Sequence, residues 1–194
     1  MEGMKLYATA VAALGLLCAT GVGVAASAGG AAASSATVRE HRAHDNAAAD
    51  RHAGRILHLH NRERAQLGLP MLEWSPQLAR EARDWGHQLA RKGRLEHADA
   101  STRSGTGENL WMGTANAWPV DTMVGMFIDE KRHYRHGRFP EISRTGQWAD
   151  VAHYTQVIWR DTQEVGCAVV TDRGWDVLVC RYYPAGNVWG RMAY

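Results

Sequence analysis

The pattern that most restricts the fold lies near the C-terminus. Residues 165–170 and 176–183 are rich in Val, Leu, Cys and Tyr, a composition typical of buried strands. Asp172-Arg173-Gly174 between them has the composition of a tight turn. The two runs therefore predict a β-hairpin.

The same hairpin brings two cysteines close together. Pairing Thr171 with Trp175 across the turn places Cys167 opposite Val179, one residue from Cys180. After a small shift of register, or with a bulge, the two thiols are within reach of a disulfide. The third cysteine, Cys18, lies in the signal peptide predicted below, so an exported chain would keep one pair. Such a pair favours the disulfide, and two free buried thiols are the alternative.

Three stretches upstream have the period of amphipathic helices. The first stops at Gly68. The second starts with Ser75 as N-cap and Pro76 in the first helical position, and it ends at Gly93. The third opens at Pro119. The predicted buried stripes are Ala53, Ile56, His60, Arg64 and Leu67; Leu78, Ala82, Trp85 and Leu89; and Val120, Met123, Val124, Phe127 and Tyr134. Helices followed by an antiparallel ribbon predict an α+β domain whose helices cover the sheet.

The N-terminus has the layout of a secretory signal peptide. No charge interrupts residues 6–24, and Ala26-Ser27-Ala28 resembles a cleavage site. We predict a signal peptide over 1–28, a flexible linker over 29–46 and one folded domain over 47–194. The alternative is an uncleaved anchor, because 19 uncharged residues are just long enough to span a bilayer. The expected location is secreted, periplasmic or the cell envelope.

Composition fits a single globular domain and disfavours several functions. The 194 residues are 45% hydrophobic with a net charge of +2, so no nucleic-acid partner is expected. The sequence lacks HExxH, a phosphate-binding glycine loop, GxSxG and CxxC. These absences disfavour the common zinc peptidases, nucleotide enzymes and α/β-hydrolases. Eight Trp suit a core with polar edges or a binding surface.

Four polar residues are candidates for a site, each with an ordinary structural alternative. Glu130 falls in the apolar stripe of the third helix, where a carboxylate must be paired, protonated, bound to a cation or extended to water. Glu108 lies in a Gly-Glu-Asn turn, where a glutamate is usually solvated. His97 follows the second helix, and His153 opens a largely apolar run in which a satisfied core histidine is common.

A basic stretch and an aromatic loop follow the third helix. Residues 131–138 are mostly Lys, Arg and His, which suits anionic lipids or glycans or a solvated helix end. Phe139, Ile142 and Trp148 come next in a loop with Gly and Pro. They are candidates for contact with a ligand if exposed, and packing onto the core is the alternative.

Taken together, these motifs resemble the CAP superfamily of cysteine-rich secretory proteins, insect-venom antigen 5 and plant pathogenesis-related proteins. The resemblance covers about residues 50–190. It is carried by His60-Asn61 with Arg64, Gly68-Leu69-Pro70, Leu72 and Trp74; by Gly107-Glu108-Asn109; by the run from His153 to Trp159 with Thr162; and by the run from Val177 to Val188.

The resemblance implies a three-layer α-β-α sandwich with a central antiparallel sheet. It also implies a cleft lined by His97, Glu108, Glu130 and His153. This cleft could hold a divalent metal, and zinc is the first candidate. It pairs Cys167 with Cys180. Ala152 replaces the usual Gly before His153, and Phe127 stands where Trp is common. The family's additional disulfides and its C-terminal cysteine-rich module are missing.

Three functions are compatible with these features. The resemblance favours a binding module for a lipid, sterol-like or other small apolar ligand. The alternative is a metal-dependent hydrolase or peptidase in which Glu108 or Glu130 acts as general base. In a third reading the cleft only stabilises the fold, with Asn61 and Asn187 as scaffold residues. After signal cleavage no membrane span is expected, and the oligomeric state stays open.

Overall fold

The computed structural model describes residues 52–103 and 105–194. The predicted signal peptide (1–28) and linker (29–46) lie outside the described residues. The helices are α1 (52–66), α2 (Pro76–Lys92), α3 (Val120–Asp129) and α4 (Ala152–Val157). The strands are β1 (Glu73–Trp74), β2 (Gly107–Thr114), β3 (Glu164–Asp172) and β4 (Trp175–Tyr183). Short 3₁₀ turns lie at Ala100–Thr102, Glu130–His133 and Trp148–Val151.

The four strands form one sheet in the order β1-β3-β4-β2. β4 pairs antiparallel with both β2 and β3, but β1 runs parallel to β3. The expected fully antiparallel sheet is therefore mixed, since the two-residue β1 joins its edge in the parallel sense. β2 forms the opposite edge of the sheet, so one side of β2 has no neighbouring strand and lies beside the site described below.

Both faces of the sheet are covered by helices. Val177 and Val179 of β4 pack in one core cluster with Ala82 and Leu89 of α2. Residues of β4 that point the other way pack with α1, α3 and α4, as strand alternation requires. This arrangement is the predicted α-β-α sandwich.

The predicted helix ends agree with the structure in two places and differ in a third. Gly68 and Gly93 both have φ of +64° and follow α1 and α2, as a left-handed helix stop requires. The third helix is shorter than its apolar stripe predicts. It ends at Asp129, and Glu130–His133 continues as a tighter 3₁₀ turn before Tyr134 bridges to Ser143.

The predicted hairpin is present, but its predicted register is wrong by one residue. Asp172 pairs with Trp175, so the turn contains only Arg173 and Gly174, with φ of +49° and +84°. Two consecutive positive φ angles are typical of the type I′ turn, whose twist matches that of the strands. Cys167 therefore lies directly opposite Cys180, and the two form a buried disulfide with a Cα–Cα distance of 4.1 Å.

Candidate functional site

The four predicted site residues form two histidine–glutamate pairs. His97 Nδ1 lies 2.7 Å from Glu108 Oε1. His153 Nδ1 lies 2.6 Å from Glu130 Oε1. In both pairs the carboxylate contacts the same ring nitrogen, so the two imidazoles have equivalent hydrogen-bonding states.

The first pair is built on the edge strand. Glu108 lies on the same face of β2 as Leu110, which packs beneath α2, and its side chain is fully buried. Arg181 faces it from β4, with Nη2 3.0 Å from Oε2. Glu108 Oε2 has no aligned hydrogen bond among the described residues, so charge attraction dominates this contact. Oε1 also accepts from the backbone N–H of Ala98 at 3.1 Å, which holds the segment of His97.

Burial of the Arg181–Glu108 ion pair has an electrostatic consequence. Burial lowers the pKa of Arg181, and the neighbouring Glu108 carboxylate opposes that change. An arginine side chain 6% exposed needs such a counter-charge, because an isolated buried cation is very costly.

The second pair is built on a helix end. Glu130 Oε2 accepts hydrogen bonds from the backbone N–H groups of His153 and Tyr154, at 3.0 and 3.1 Å. These N–H groups belong to the first turn of α4, where a carboxylate is favoured by unsatisfied donors and by the helix dipole. The His153 ring stacks on Phe127 with centroids 4.9 Å apart and planes 20° apart. His153 is thus fixed by both its ring nitrogen and its ring face.

Both pairs leave the outer ring nitrogen available. A carboxylate only accepts hydrogen bonds, so each neutral imidazole carries its proton on Nδ1 and presents the lone pair of Nε2. Neither Nε2 atom has a protein partner among the described residues. Orientation of an imidazole by a carboxylate is the usual outer-shell arrangement around metal-bound histidines.

Imidazole nitrogens are donors that suit a divalent cation such as zinc. Across residues 52–103 and 105–194, no three His, Cys, Asp or Glu side chains are grouped to hold a metal together. Two protein nitrogens would leave the other positions to water or an outside ligand.

Gly107 explains why a glycine precedes Glu108. A Cβ atom there would lie 2.0 Å from Gln156 Oε1, so only glycine fits. That oxygen accepts from Gly186 N at 2.9 Å, and the amide nitrogen of Gln156 donates to Thr162 Oγ1 at 3.2 Å. These hydrogen bonds fix the Gln156 side chain where it packs against Gly107, directly before Glu108.

A buried hydrogen-bond chain that sequence reasoning missed lies beside the two pairs. His60 Nδ1 donates to Ile56 O (2.8 Å), and Tyr182 OH donates to His60 Nε2 (2.9 Å). Asn109 Nδ2 donates to Tyr182 OH (3.2 Å) and to the carbonyl of His153 (3.0 Å). Asn109 follows Glu108 in β2, so the chain joins both halves of the site.

Burial fixes the protonation states in this chain. Burial lowers the pKa of His60 to about 4 and raises that of the Tyr182 hydroxyl. His60 is therefore neutral at pH 7. The available sequence signal was a polar histidine and Arg64 on the apolar stripe of the first helix.

Arg64 is the second residue whose role was missed. It is fully buried, and its guanidinium donates only to backbone carbonyls. The acceptors are Pro70, Val157, Trp159 and Thr162, at 2.7, 3.1, 2.8 and 3.2 Å. Burial, with a smaller contribution from the charge of Arg160, lowers the pKa of Arg64 to about 10. Arg64 thereby ties α1 to the C-terminal end of α4.

The two asparagines considered as scaffold residues both bind backbone. Asn61 donates to Leu72 O at 3.0 Å and accepts from Leu72 N at 2.7 Å. Asn187 accepts from Thr155 Oγ1 at 2.7 Å and donates to Ala152 O at 2.9 Å. The second contact holds the first turn of α4, which carries His153.

The three aromatic-loop candidates are not equivalent. Phe139 and Ile142 are buried in the core, whereas Trp148 is 44% exposed. A separate shallow groove of about 420 Å³ runs along α1. Its lining is Gly54, Leu57, His58, Asn61, Arg62, Ala65 and Met71.

Together the fold and the site define a class: an α-β-α sandwich with two carboxylate-oriented histidines beside its edge strand. A family profile described as CAP, the cysteine-rich secretory protein family, matches residues 57–182. The chain belongs to this family.

Individual relatives agree with that assignment. Pathogenesis-related protein 1C of Nicotiana tabacum is 35% identical over 139 residues, covering 71% of this chain and 78% of the relative. Venom allergen 5 of Vespa magnifica is 32% identical over 132 residues, covering 63% of this chain and 55% of the allergen. The solved structure of NaASP2 with Zn²⁺ superposes with a TM-score of 0.62 at 21% identity, covering 73% of this chain and 84% of the other. At that identity the structural likeness shows the fold.

Proposed function

We propose that this chain is an exported binding module whose cleft holds a divalent cation on the Nε2 atoms of His97 and His153. The observation that carries the proposal is the matched pair of Nδ1–carboxylate contacts, at 2.7 and 2.6 Å. Each contact orients a ring and leaves its outer nitrogen available to a metal. Zinc is the first cation to test, because imidazole suits it and because NaASP2 was solved with Zn²⁺.

Binding fits the geometry better than hydrolysis does. A hydrolase needs a carboxylate free to take a proton from water. Both oxygens of Glu130 already accept hydrogen bonds from His153 and Tyr154. Glu108 is fully buried between Ala98 N, His97 and Arg181. Neither glutamate is therefore poised as the general base that the alternative function requires.

Export is supported by two observations. The first 28 residues have the layout of a signal peptide, and the buried Cys167–Cys180 disulfide suits an oxidising compartment. We therefore propose that the mature protein lies outside the cytoplasm, either secreted or in the cell envelope. Separately, the helices of residues 52–103 and 105–194 include none with the length and hydrophobicity of a bilayer span.

Calorimetric zinc titration of the metal-free protein tests the cation site. The titration is run at a pH above 7, because metal ligands must be deprotonated and a low proton concentration limits competition with the metal. We expect one zinc per chain at micromolar affinity or tighter, lost in the variant His97→Ala/His153→Ala. The matched control His58→Ala/His136→Ala removes two histidines elsewhere and should leave binding unchanged. A folded wild-type protein that binds no zinc would refute the proposal.

A second function, capture of a small apolar ligand, is supported by the groove along α1. Leu57, Ala65 and Met71 give it an apolar lining, and Met71 is 62% exposed. Such a surface gains free energy by covering apolar area, roughly 25 cal/mol per Å². A fluorescent fatty acid should bind the wild type and lose at least ten-fold in affinity with Met71→Glu. Equal affinity in Met71→Glu and in the exposed control Met126→Glu would contradict this assignment.

A further inference from the structure

Two exposed tryptophans contact the same buried aromatic ring, that of Phe139 in the segment 134–144. The Phe139 ring lies 5.4 Å from the Trp148 ring and 5.8 Å from the Trp189 ring, between centroids. Phe139 is 4% exposed, whereas Trp148 and Trp189 are 44% and 70% exposed. We call these three residues the tryptophan platform. Each exposed indole combines a flat apolar ring with one polar N–H group.

The platform is held rigidly by backbone pairing. Phe139 N donates to Arg191 O and Gly190 N donates to Phe139 O, each at 2.8 Å. Arg138 and Met192 form an antiparallel bridge next to these bonds. The loop that carries Trp189 is therefore fixed before any ligand arrives, which lowers the entropy cost of binding.

The platform borders the most basic segment of the folded domain. Residues 131–144 contain five Lys or Arg and one Glu, so they carry +4 although the whole chain carries only +2. Lys131 pairs with Glu63. The arginines of the segment make no ion pair with an acidic residue in the described part of the chain. An anionic partner is therefore favoured here.

Two arginines of this segment are held in place by backbone carbonyls. Arg138 Nη1 donates to Gly190 O at 2.8 Å, directly after Trp189. Arg135 Nη2 donates to Glu141 O at 3.1 Å. Both side chains are exposed and keep further N–H donors in a fixed planar fork, which matches carboxylate and sulfate oxygens.

We infer that the tryptophan platform, with Arg138 and Arg135, binds an anionic polysaccharide. The indole faces would cover the apolar faces of sugar rings, and the guanidinium groups would bind the carboxylate or sulfate groups. This inference is independent of the cation site, because none of its residues touches His97 or His153.

Two other occupants fit the surface less well. A protein interface buries about 800 Å² per partner around an apolar core, whereas the exposed apolar side chains here are Trp148, Val188 and Trp189. A bilayer surface would require a broader apolar face and makes no use of fixed arginine forks. A chain of sugar rings with regularly spaced anionic groups uses both features.

Affinity electrophoresis in gels containing heparin or polygalacturonate tests the inference, with neutral dextran as the blank. We expect retardation by at least one of the two anionic polymers and none by dextran. Trp148→Ala/Trp189→Ala should weaken binding at least ten-fold. The matched control Trp118→Ala/Trp175→Ala removes two exposed tryptophans elsewhere and should change it less than two-fold. Circular dichroism checks that the variants are folded.

Arginine variants separate recognition of anionic groups from general charge attraction. Arg138→Lys keeps the charge but loses the planar fork, so we expect binding to weaken about five-fold. Arg94→Gln removes a charge on another surface and should have less than a two-fold effect. The inference would be overturned if binding fell equally in Arg138→Gln and Arg94→Gln and did not change in the tryptophan variants. Charge alone would then explain the binding.

Two further outcomes would also overturn it. One is no retardation by either anionic polymer at low salt. The other is binding to phosphatidylglycerol vesicles, but not to polysaccharide, that depends on Trp148 and Trp189. The latter result would make the platform a membrane-docking surface.

Discussion

The two histidine–glutamate pairs contain the same side chains but are held by different physics. Glu108 is fully buried beside Arg181, and its partner His97 is 60% exposed. Glu130 is partly exposed and caps the first turn of α4, while its partner His153 is 33% exposed and stacked on Phe127. In the first pair the carboxylate is the fixed member, and in the second the imidazole is also fixed.

Because of this difference, the Glu108 pair contributes mainly to folding stability and the Glu130 pair mainly to ligand binding. Glu108 balances a buried cation within the sheet, so its charge mainly stabilises the fold. Glu130 is partly exposed and faces no buried cation among the residues that the structure describes, so its charge mainly serves to orient His153. The same substitution, glutamate to glutamine, should therefore have unequal effects at the two positions.

Glu108→Gln should give the largest loss of stability. It leaves the Arg181 guanidinium buried without a counter-charge, which costs about 3 kcal/mol in the free energy of unfolding. Urea denaturation at pH 7 measures this loss. Adding Arg181→Met should recover a large part of it, because the pair is then replaced by uncharged groups. A loss that the second substitution does not recover would show that the ion pair is not its cause.

His60 belongs to the hydrogen-bond chain that joins the two halves of the site. Among the histidines, it should cause the largest loss of folding stability at acid pH. His60 has a pKa of about 4 in the folded state, against about 6.5 for an unperturbed histidine. Between these values the unfolded state binds a proton that the folded state does not. Stability should therefore fall by roughly 3 kcal/mol as the pH drops from 6.5 to 4, and the fall should end below pH 4.

The variant His60→Gln isolates that contribution from the carboxyl groups. Unfolding measured across pH 4 to 7 should show a shallower slope in the variant than in the wild type. Parallel curves would mean that His60 is not the responsible group.

Glu130→Gln should have the smallest effect on stability and a clear effect on zinc. A glutamine oxygen can still accept from the helix N–H groups, so the free energy of unfolding should change by about 1 kcal/mol. Loss of the carboxylate beside His153 should weaken zinc binding about ten-fold. Calorimetry and urea denaturation on the same samples separate the two effects. A loss in the free energy of unfolding as large as that in Glu108→Gln would contradict the difference between the two pairs.

Local sequence patterns predicted much of the fold. Ser75-Pro76 and Gly93 bound α2, and the Asp172-Arg173-Gly174 composition predicted the hairpin. The register was wrong because composition does not distinguish a two-residue turn from a three-residue one. The observed φ angles of Arg173 and Gly174 decide between them.

The site was only partly predictable for a physical reason. The sequence marks His97, Glu108, Glu130 and His153 as separate candidates, and the family resemblance joins them in one cleft. Their grouping as two pairs depends on tertiary contacts. Arg181 and Asn109 gave no separate signal, since their roles arise from the β2–β4 register and the position of α4. Residues whose partners lie 44 or 73 positions away cannot be paired from spacing alone.

Nitrogen NMR of the histidine rings in ¹⁵N-labelled protein tests the central claim most directly. The structure requires His97 and His153 each to carry the proton on Nδ1 and to leave Nε2 unprotonated when neutral. Added zinc should shift the Nε2 resonance of both rings while the Nδ1 protons remain. A proton on Nε2 in either ring, or a zinc-induced shift confined to one of them, would contradict a cation site built on both pairs.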